Sequence, residues 1–219
     1  MSKGSELLSL AQKRLYPNYK PAPMILARGK GCELFDVDGK RWLDMAAGVA
    51  VVSVGHSHPK LAAALSEQTT LLMHTSNYFY NEQNVLLADA LCERSGMGRA
   101  FFCNSGAEAN EAAFKLTRRH FYAKGDTKRT KFIAFENAFH GRTMGAVSLT
   151  GTPKYREGFG GVEGVIHVPY NDLEAVKKHL DDTIAGIIVE AVQGEGGVLP
   201  AAPGFLEALR ELTTKNGSL

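Results

Sequence analysis

Arg99-Ala-Phe-Phe-Cys-Asn-Ser-Gly-Ala-Glu-Ala-Asn-Glu-Ala-Ala-Phe-Lys-Leu116 is the stretch whose reading decides the fold. Residues 99–103 form a short apolar run of strand type. Ser105 is a fit N-cap, and Glu108, three residues on, completes a capping box. Ala109, Ala112, Ala113 and Leu116 then recur at i, i+3, i+4 and i+7, an apolar stripe that packs a helix on a sheet. A strand running straight into a capped amphipathic helix is the unit from which α/β proteins are built.

Outward from this unit the alternation continues. Residues 60–72 and 84–92 read as helices before it. After the helix at 105–119 come strands at 131–135, 146–149 and 165–168, a helix at 173–180, a strongly apolar strand at 185–190 and a helix at 205–215. Strands separated by helices imply right-handed crossovers and a mostly parallel sheet with helices on both faces. The fold class is α/β. Residues 1–57 follow a different pattern: an amphipathic helix at 5–15, an extended strap set by Pro17, Pro21 and Pro23, and a hairpin of 32–37 and 41–45 around Asp38-Gly39. The hairpin reads as an antiparallel element outside the main sheet. We therefore divide the chain into a 1–57 segment and a 58–219 domain. Asn216-Gly217 is a good helix stop, and Leu219 stands where a parallel strand would begin, so the chain reads as truncated.

Composition excludes several classes. The 219 residues carry 25 Lys+Arg against 23 Asp+Glu, with 44% hydrophobic and 22% charged residues, which argues against disorder. Basic pairs such as Arg118-Arg119 and Lys128-Arg129 sit beside acidic residues, so no nucleic-acid partner is expected. The longest apolar stretches are too short to cross a bilayer and the start has no apolar leader core; a cytoplasmic protein without a membrane partner is expected. Cys32, Cys92 and Cys103 form no C-x-x-C pair and read as free thiols. His56 and His58 lie in a turn-like segment with no carboxylate nearby in sequence, so they read as structural rather than as a metal pair. No metal is expected.

Three segments can carry chemistry. The first turn of the capped helix, Ser105-Gly106-Ala107, has small side chains, so its unpaired N–H groups and the positive end of the helix dipole suit an anion such as a phosphate. It is neither a P-loop nor a dinucleotide turn. The second segment presents Phe139, His140, Gly141 and Arg142 in a row after a strand. An aromatic ring can stack on a flat heterocycle, and an Arg can hold a carboxylate bidentately. Taken alone, Phe139 reads as core and Arg142 as a surface charge. The third places Glu190 at the end of the most apolar strand, where open α/β sheets bind ligands, followed by Gln193-Gly-Glu-Gly-Gly197 with Glu195. A carboxylate at that edge is either functional or satisfied by a cap or an Arg.

These segments, in this order and spacing, with the strap Pro17-Asn-Tyr-Lys-Pro-Ala-Pro, Gly55-His-Ser-His-Pro59 and Tyr170-Asn171-Asp172, resemble the class III aminotransferases over the whole chain. The combination is most similar to the branch that acts on acylated ornithines. The resemblance implies a fold-type I, pyridoxal-phosphate-dependent transferase, with residues 1–57 in a small domain and 58–219 in part of a large one. It implies transfer of the δ-amino group of N-acetylornithine to 2-oxoglutarate in arginine biosynthesis, by a homodimer. It assigns Ser105, Gly106 and Ala107 to the cofactor phosphate, Phe139 and His140 to the wall at the pyridine ring, and Glu190 to the cofactor's neighbourhood. Arg142 would bind the substrate α-carboxylate, Tyr19 would approach the substrate, and Glu195 would pair with an Arg. The family's Schiff-base lysine and its acidic ring partner match none of the fourteen lysines or carboxylates here and are expected beyond Leu219, so the chain alone is expected to be inactive. Ornithine, succinylornithine or another ω-amino acid as donor, and a non-catalytic half-length relative, stay open.

Overall fold

The computed structural model describes residues 2–219, in two compact units divided between Ala90 and Leu91. In the first unit, α1 (Lys3–Arg14) is N-capped by Ser2, whose hydroxyl accepts the Ser5 N–H at 3.3 Å. Strands β1 (Leu26–Lys30), β2 (Glu33–Asp36) and β3 (Arg41–Leu43) make a three-stranded antiparallel sheet in sequence order. The hairpin at Asp38-Gly39 is where the sequence places it. Asp36 closes it by accepting the N–H groups of Asp38 and Lys40 at 3.1 and 2.8 Å, and Gly39 supplies the φ of +89°. The β1 strand, after the proline strap, is an addition to the two strands read from the sequence.

A left-handed turn follows, Ala47–Ala50 (α2), with φ between +48° and +64° at all four residues. Each non-glycine residue there costs about 1–2 kcal/mol. Asp44 holds the entry: one carboxylate oxygen accepts the N–H groups of Ala46 and Ala47 at 2.9 Å each, and the other lies 2.6 Å from His56 Nε2. That pairing, with the backbone N–H groups, keeps the Asp44 carboxyl below the ordinary carboxylate range. The fold thus supplies the carboxylate that the sequence around His56 lacks, and it uses it to fasten a turn. Helix α3 (Pro59–Leu71) follows, and α4 (Glu82–Ser95) runs through the division at Ala90.

The second unit is built on three parallel strands, β4 (Lys131–Phe135), β5 (Val165–Val168) and β6 (Ile184–Ile187), in the order β5-β4-β6. Alternation along β4 divides the core. Phe132 and Ala134 pack with Phe114 and Phe121 of α5 (Gly106–Ala123) and Leu149 of α6 (Met144–Leu149). Ile133 and Phe135 pack with Val176 of α7 (Leu173–His179) and Phe205 and Leu209 of α8 (Phe205–Asn216). All four β4 residues are fully buried, at about 1.5–3 kcal/mol for each large side chain. Both faces of the sheet are therefore covered. Leu219 donates its N–H to Ala185 O and accepts from Ile187 N–H, both at 2.9 Å, the two-residue step of a parallel ladder on the free edge of β6.

Three expectations are corrected. Residues 146–149 are helix α6, not strand; a four-residue apolar run does not distinguish the two, and this one is buried on every side. Residues 99–103 form no strand, because among the described residues no strand lies beside them to take their backbone groups, and Phe101 is exposed. The strand expected at 185–190 ends at Ile187, so Glu190 stands three residues beyond it. Among the described residues no helix is long and apolar enough to cross a membrane.

Candidate functional site

Ser105 caps α5 as the capping box requires: its hydroxyl accepts the Glu108 N–H at 3.2 Å. Glu108 reaches one residue further back than the pattern implies and accepts the Asn104 N–H at 2.6 Å. Its hydrogen bonds with Asn104 hold its carboxyl below the usual range. The N–H groups of Gly106 and Ala107, in the exposed to half-buried first turn, have no partner among the described residues. A Cβ on Gly106 would meet nothing within 4 Å. An open, well-capped helix start of this kind offers backbone donors to an oxyanion.

The second segment closes directly on this turn. A Cβ built on Gly141 would lie 2.6 Å from Ala107 Cβ and 2.8 Å from Ala107 Cα, and Gly141 has a φ of +127°, so only glycine fits. Asn110, one turn into α5, donates from Nδ2 to the His140 carbonyl at 2.7 Å. Glu111 accepts the Gly145 N–H at 2.7 Å. The third segment joins at the same place, since a Glu190 oxygen accepts the Phe139 N–H at 3.1 Å. Tyr170 OH donates to the Glu190 carbonyl at 2.8 Å and steadies the segment that follows β6. Burial pushes the Glu190 carboxyl above its ordinary value, against the N–H groups of Phe139 and Gly194, and the charge of Glu195 pushes the same way.

His140 is buried. Its N–H donates to Thr150 Oγ1 at 3.0 Å, and its Nε2 has no partner. Burial, with a smaller contribution from His167, lowers its pKa to about 4, so the ring is neutral near pH 7. This has a sign. The unfolded chain takes up the proton near pH 6.5 and the folded one only near 4, so folding stability is complete above pH 6.5 and is lost as pH falls toward 4. The loss is on the order of 3 kcal/mol. Urea unfolding from pH 7 to 4.5 should show this slope, and His140→Gln should flatten it; parallel curves contradict the assignment.

Arg142 is exposed but restrained. Its Cζ lies 4.0 Å from the Tyr155 ring centroid and 5.5 Å from that of Phe139, and the two rings meet edge-on at 6.1 Å. Such contacts contribute about 0.5–2 kcal/mol each. The guanidinium takes part in none of the ion pairs or side-chain hydrogen bonds of the described residues, so its planar fork of donors is free to meet a carboxylate. Glu195 is exposed and likewise without an ion pair among the described residues. Tyr19 lies in the exposed strap of the first unit.

Ser105, Gly106, Ala107, Phe139, His140, Arg142 and Glu190 thus converge within one unit. Asn110, Thr150, Glu111 and Tyr170, which orient that site, are additions from the structure. Thr150 is the sharpest of these: it is fully buried, accepts from His140 N–H, and its hydroxyl lies 3.2 Å from Ala146 O. Thr150→Val should cost about 1–3 kcal/mol by stranding a buried N–H. Thr150→Ser should recover it in thermal unfolding, and an unchanged melting temperature for the valine variant would refute the role.

The open first turn of α5, the aromatic ring of Phe139, the Glu190 carboxylate beyond β6 and an arginine without an ion pair among the described residues are groups that could hold a phosphorylated, ring-bearing cofactor and an acidic substrate. Comparison with known families names the class: the chain belongs to the class-III aminotransferases, whose family model matches residues 15–219. It is 48% identical over 214 residues to an acetylornithine aminotransferase of Myxococcus xanthus, covering 97% of this chain and 53% of that protein. A succinylornithine transaminase/acetylornithine aminotransferase of Pseudomonas aeruginosa is 47% identical over 206 residues, covering 94% and 51%. Among solved structures, an ornithine aminotransferase from Toxoplasma gondii, described with partial occupancy of PLP at its active site, matches with a TM-score of 0.92 and 32% identity over 99% of this chain and 52% of that one. An acetylornithine aminotransferase from Elizabethkingia anophelis matches with a TM-score of 0.82 and 32% identity, over 100% and 52%. The chain spans about half the length of the curated relatives it matches. Class-III aminotransferases are pyridoxal-phosphate enzymes, and the residues here fit that cofactor: the helix start is open, Gly141 allows the ring wall to close on it, and His140 Nε2 is free.

Proposed function

We propose that this chain forms the phosphate-, ring- and α-carboxylate-binding part of an aminotransferase that moves the δ-amino group of N-acetylornithine to 2-oxoglutarate in arginine biosynthesis. In the same reading residues 1–57 contribute to its smaller domain and 58–219 to its larger one, and the enzyme is a cytoplasmic homodimer. The observation that supports it most is the convergence of α5's first turn, the Phe139–Arg142 loop and Glu190 on one another, through Gly141 on Ala107 and Phe139 N–H on Glu190.

The roles are those the family resemblance assigns, and the packing of the Phe139–Arg142 loop on α5 supports the ones at the cofactor. The N–H groups of Gly106 and Ala107, aided by the helix dipole, bind the cofactor phosphate, with Ser105 holding the turn. Phe139 offers its ring to the flat heterocycle, and His140 backs it as a neutral, buried group. When bound, pyridoxal phosphate supplies the electron sink that lets an amino group leave one carbon and join another. Arg142 grips the α-carboxylate bidentately, so the donor enters with its distal amine toward the cofactor and its α-nitrogen away from it. Tyr19 approaches the substrate, and Glu195 pairs with an Arg, switching the site between the amine donor and the dicarboxylate acceptor. Succinylornithine is the second reading, supported by the name of the P. aeruginosa relative, because Arg142 reads the α-carboxylate and not the acyl group. Assaying the full-length enzyme with N-acetylornithine, succinylornithine and ornithine separates these. Preference for N-acetylornithine supports the reading, and absence of transfer from all three overturns it.

A further inference from the structure

Arg142 would meet a substrate through a long, exposed side chain. Its neighbours are rings, not acids. An acidic partner would consume the guanidinium donors and would have to be displaced by each incoming carboxylate. A ring meets the cation through its face and leaves the N–H groups of the fork unspent. Tyr155 is the closer of the two rings, at 4.0 Å, and it is itself well placed to hold a direction. It closes the 3-10 turn Pro153–Tyr155, donating its N–H to the Thr152 carbonyl at 3.0 Å, and Pro153 restricts the backbone at the start of that turn. It is half-buried, and its ring meets the Phe139 ring edge-on. The same aromatic pair therefore touches the wall of the cofactor pocket and the substrate-binding cation.

We propose that Tyr155 is a positioning residue that holds the Arg142 guanidinium for the substrate α-carboxylate and so sets the enzyme's preference for amino acids over the corresponding carboxylate-free amines. The inference rests on the reading of Arg142 as the α-carboxylate receptor. The tyrosine hydroxyl has no part in it; the ring face does.

The test uses the full-length holoenzyme, with Tyr155→Leu and Tyr155→Phe. With N-acetylornithine as donor, Tyr155→Leu should raise KM about tenfold, equivalent to about 1.4 kcal/mol, with kcat within about twofold of the parent. With N-acetylputrescine, which lacks the carboxylate, KM should not move. Tyr155→Phe should restore the parent KM. A measurement independent of turnover is calorimetric binding of N-acetylnorvaline, which keeps the α-carboxylate but lacks the δ-amine; Tyr155→Leu should weaken it about tenfold. The proposal is overturned if the leucine variant binds N-acetylnorvaline as the parent does, if both donors lose equally, or if phenylalanine does not rescue. If the parent transfers from no ornithine-type donor, the functional reading fails. Weakened N-acetylnorvaline binding in the leucine variant would then still support the role of Tyr155, and unchanged binding would end it.

Discussion

On the proposed function, Arg142→Ala in the full-length enzyme should lower kcat/KM for N-acetylornithine about 100-fold while the bound cofactor is kept. The size follows from removing a charge-assisted, two-pronged hydrogen bond, which is worth about 2–3 kcal/mol in a partly enclosed site. The selectivity follows from the structure. Arg142 is exposed, packs on the rings of Tyr155 and Phe139 and makes no side-chain hydrogen bond or ion pair among the described residues, so its loss strands no buried polar partner there. Arg142→Lys should recover only part of the rate, because an ammonium reproduces the charge and not the fork. Steady-state kinetics beside the cofactor absorbance spectrum checks this. A variant that loses cofactor and rate together would place Arg142 in the cofactor pocket instead.

Gly141→Ala should be the most damaging single change in the site. The added methyl would sit 2.6 Å from Ala107 Cβ and 2.8 Å from its Cα, at a φ of +127° that an L side chain rarely adopts. Neither neighbour can yield without moving the first turn of α5 or the loop itself. We expect about 2–4 kcal/mol of destabilisation and a cofactor affinity about 100-fold weaker. Gly106→Ala is the informative contrast, because nothing lies within 4 Å of its Cβ. That variant should melt as the parent does, so any loss of cofactor binding it shows reports on the ligand's approach and not on the fold. Equal stability of the two variants would contradict the packing of the loop on α5.

The parts of the site that were legible in the sequence are those whose chemistry is local. Ser105 and Glu108 announce a helix start through a spacing of three residues, and the structure keeps the Ser105 cap. The β4 run and the Asp38-Gly39 turn are equally self-contained. What was not legible depends on distant partners. Residues 99–103 look like a strand, but a strand exists only with a neighbour to share its hydrogen bonds, and none of the described residues provides one. Residues 146–149 are apolar enough for a strand but end helix α6, whose N–H groups bond carbonyls four residues back, Val147 to Thr143 at 2.7 Å and Thr150 to Ala146 at 3.1 Å. Asp44 meets His56 across twelve residues, and Thr150 meets His140 across ten. Tyr155 is thirteen residues from Arg142, in a turn whose direction no local pattern encodes. The family resemblance assigned residues to the cofactor and substrate. It did not name the side chains that hold them in place.

The central claim is that α5's first turn, the Phe139–Arg142 loop and Glu190 form one cofactor site. Determining the structure of the full-length enzyme with pyridoxal phosphate bound tests it most directly. The account predicts the phosphate within hydrogen-bond distance of the Gly106 and Ala107 N–H groups, with the Phe139 ring against the pyridine ring and Glu190 still accepting the Phe139 N–H. A phosphate bound away from α5, or a pyridine ring that does not touch Phe139, would contradict it.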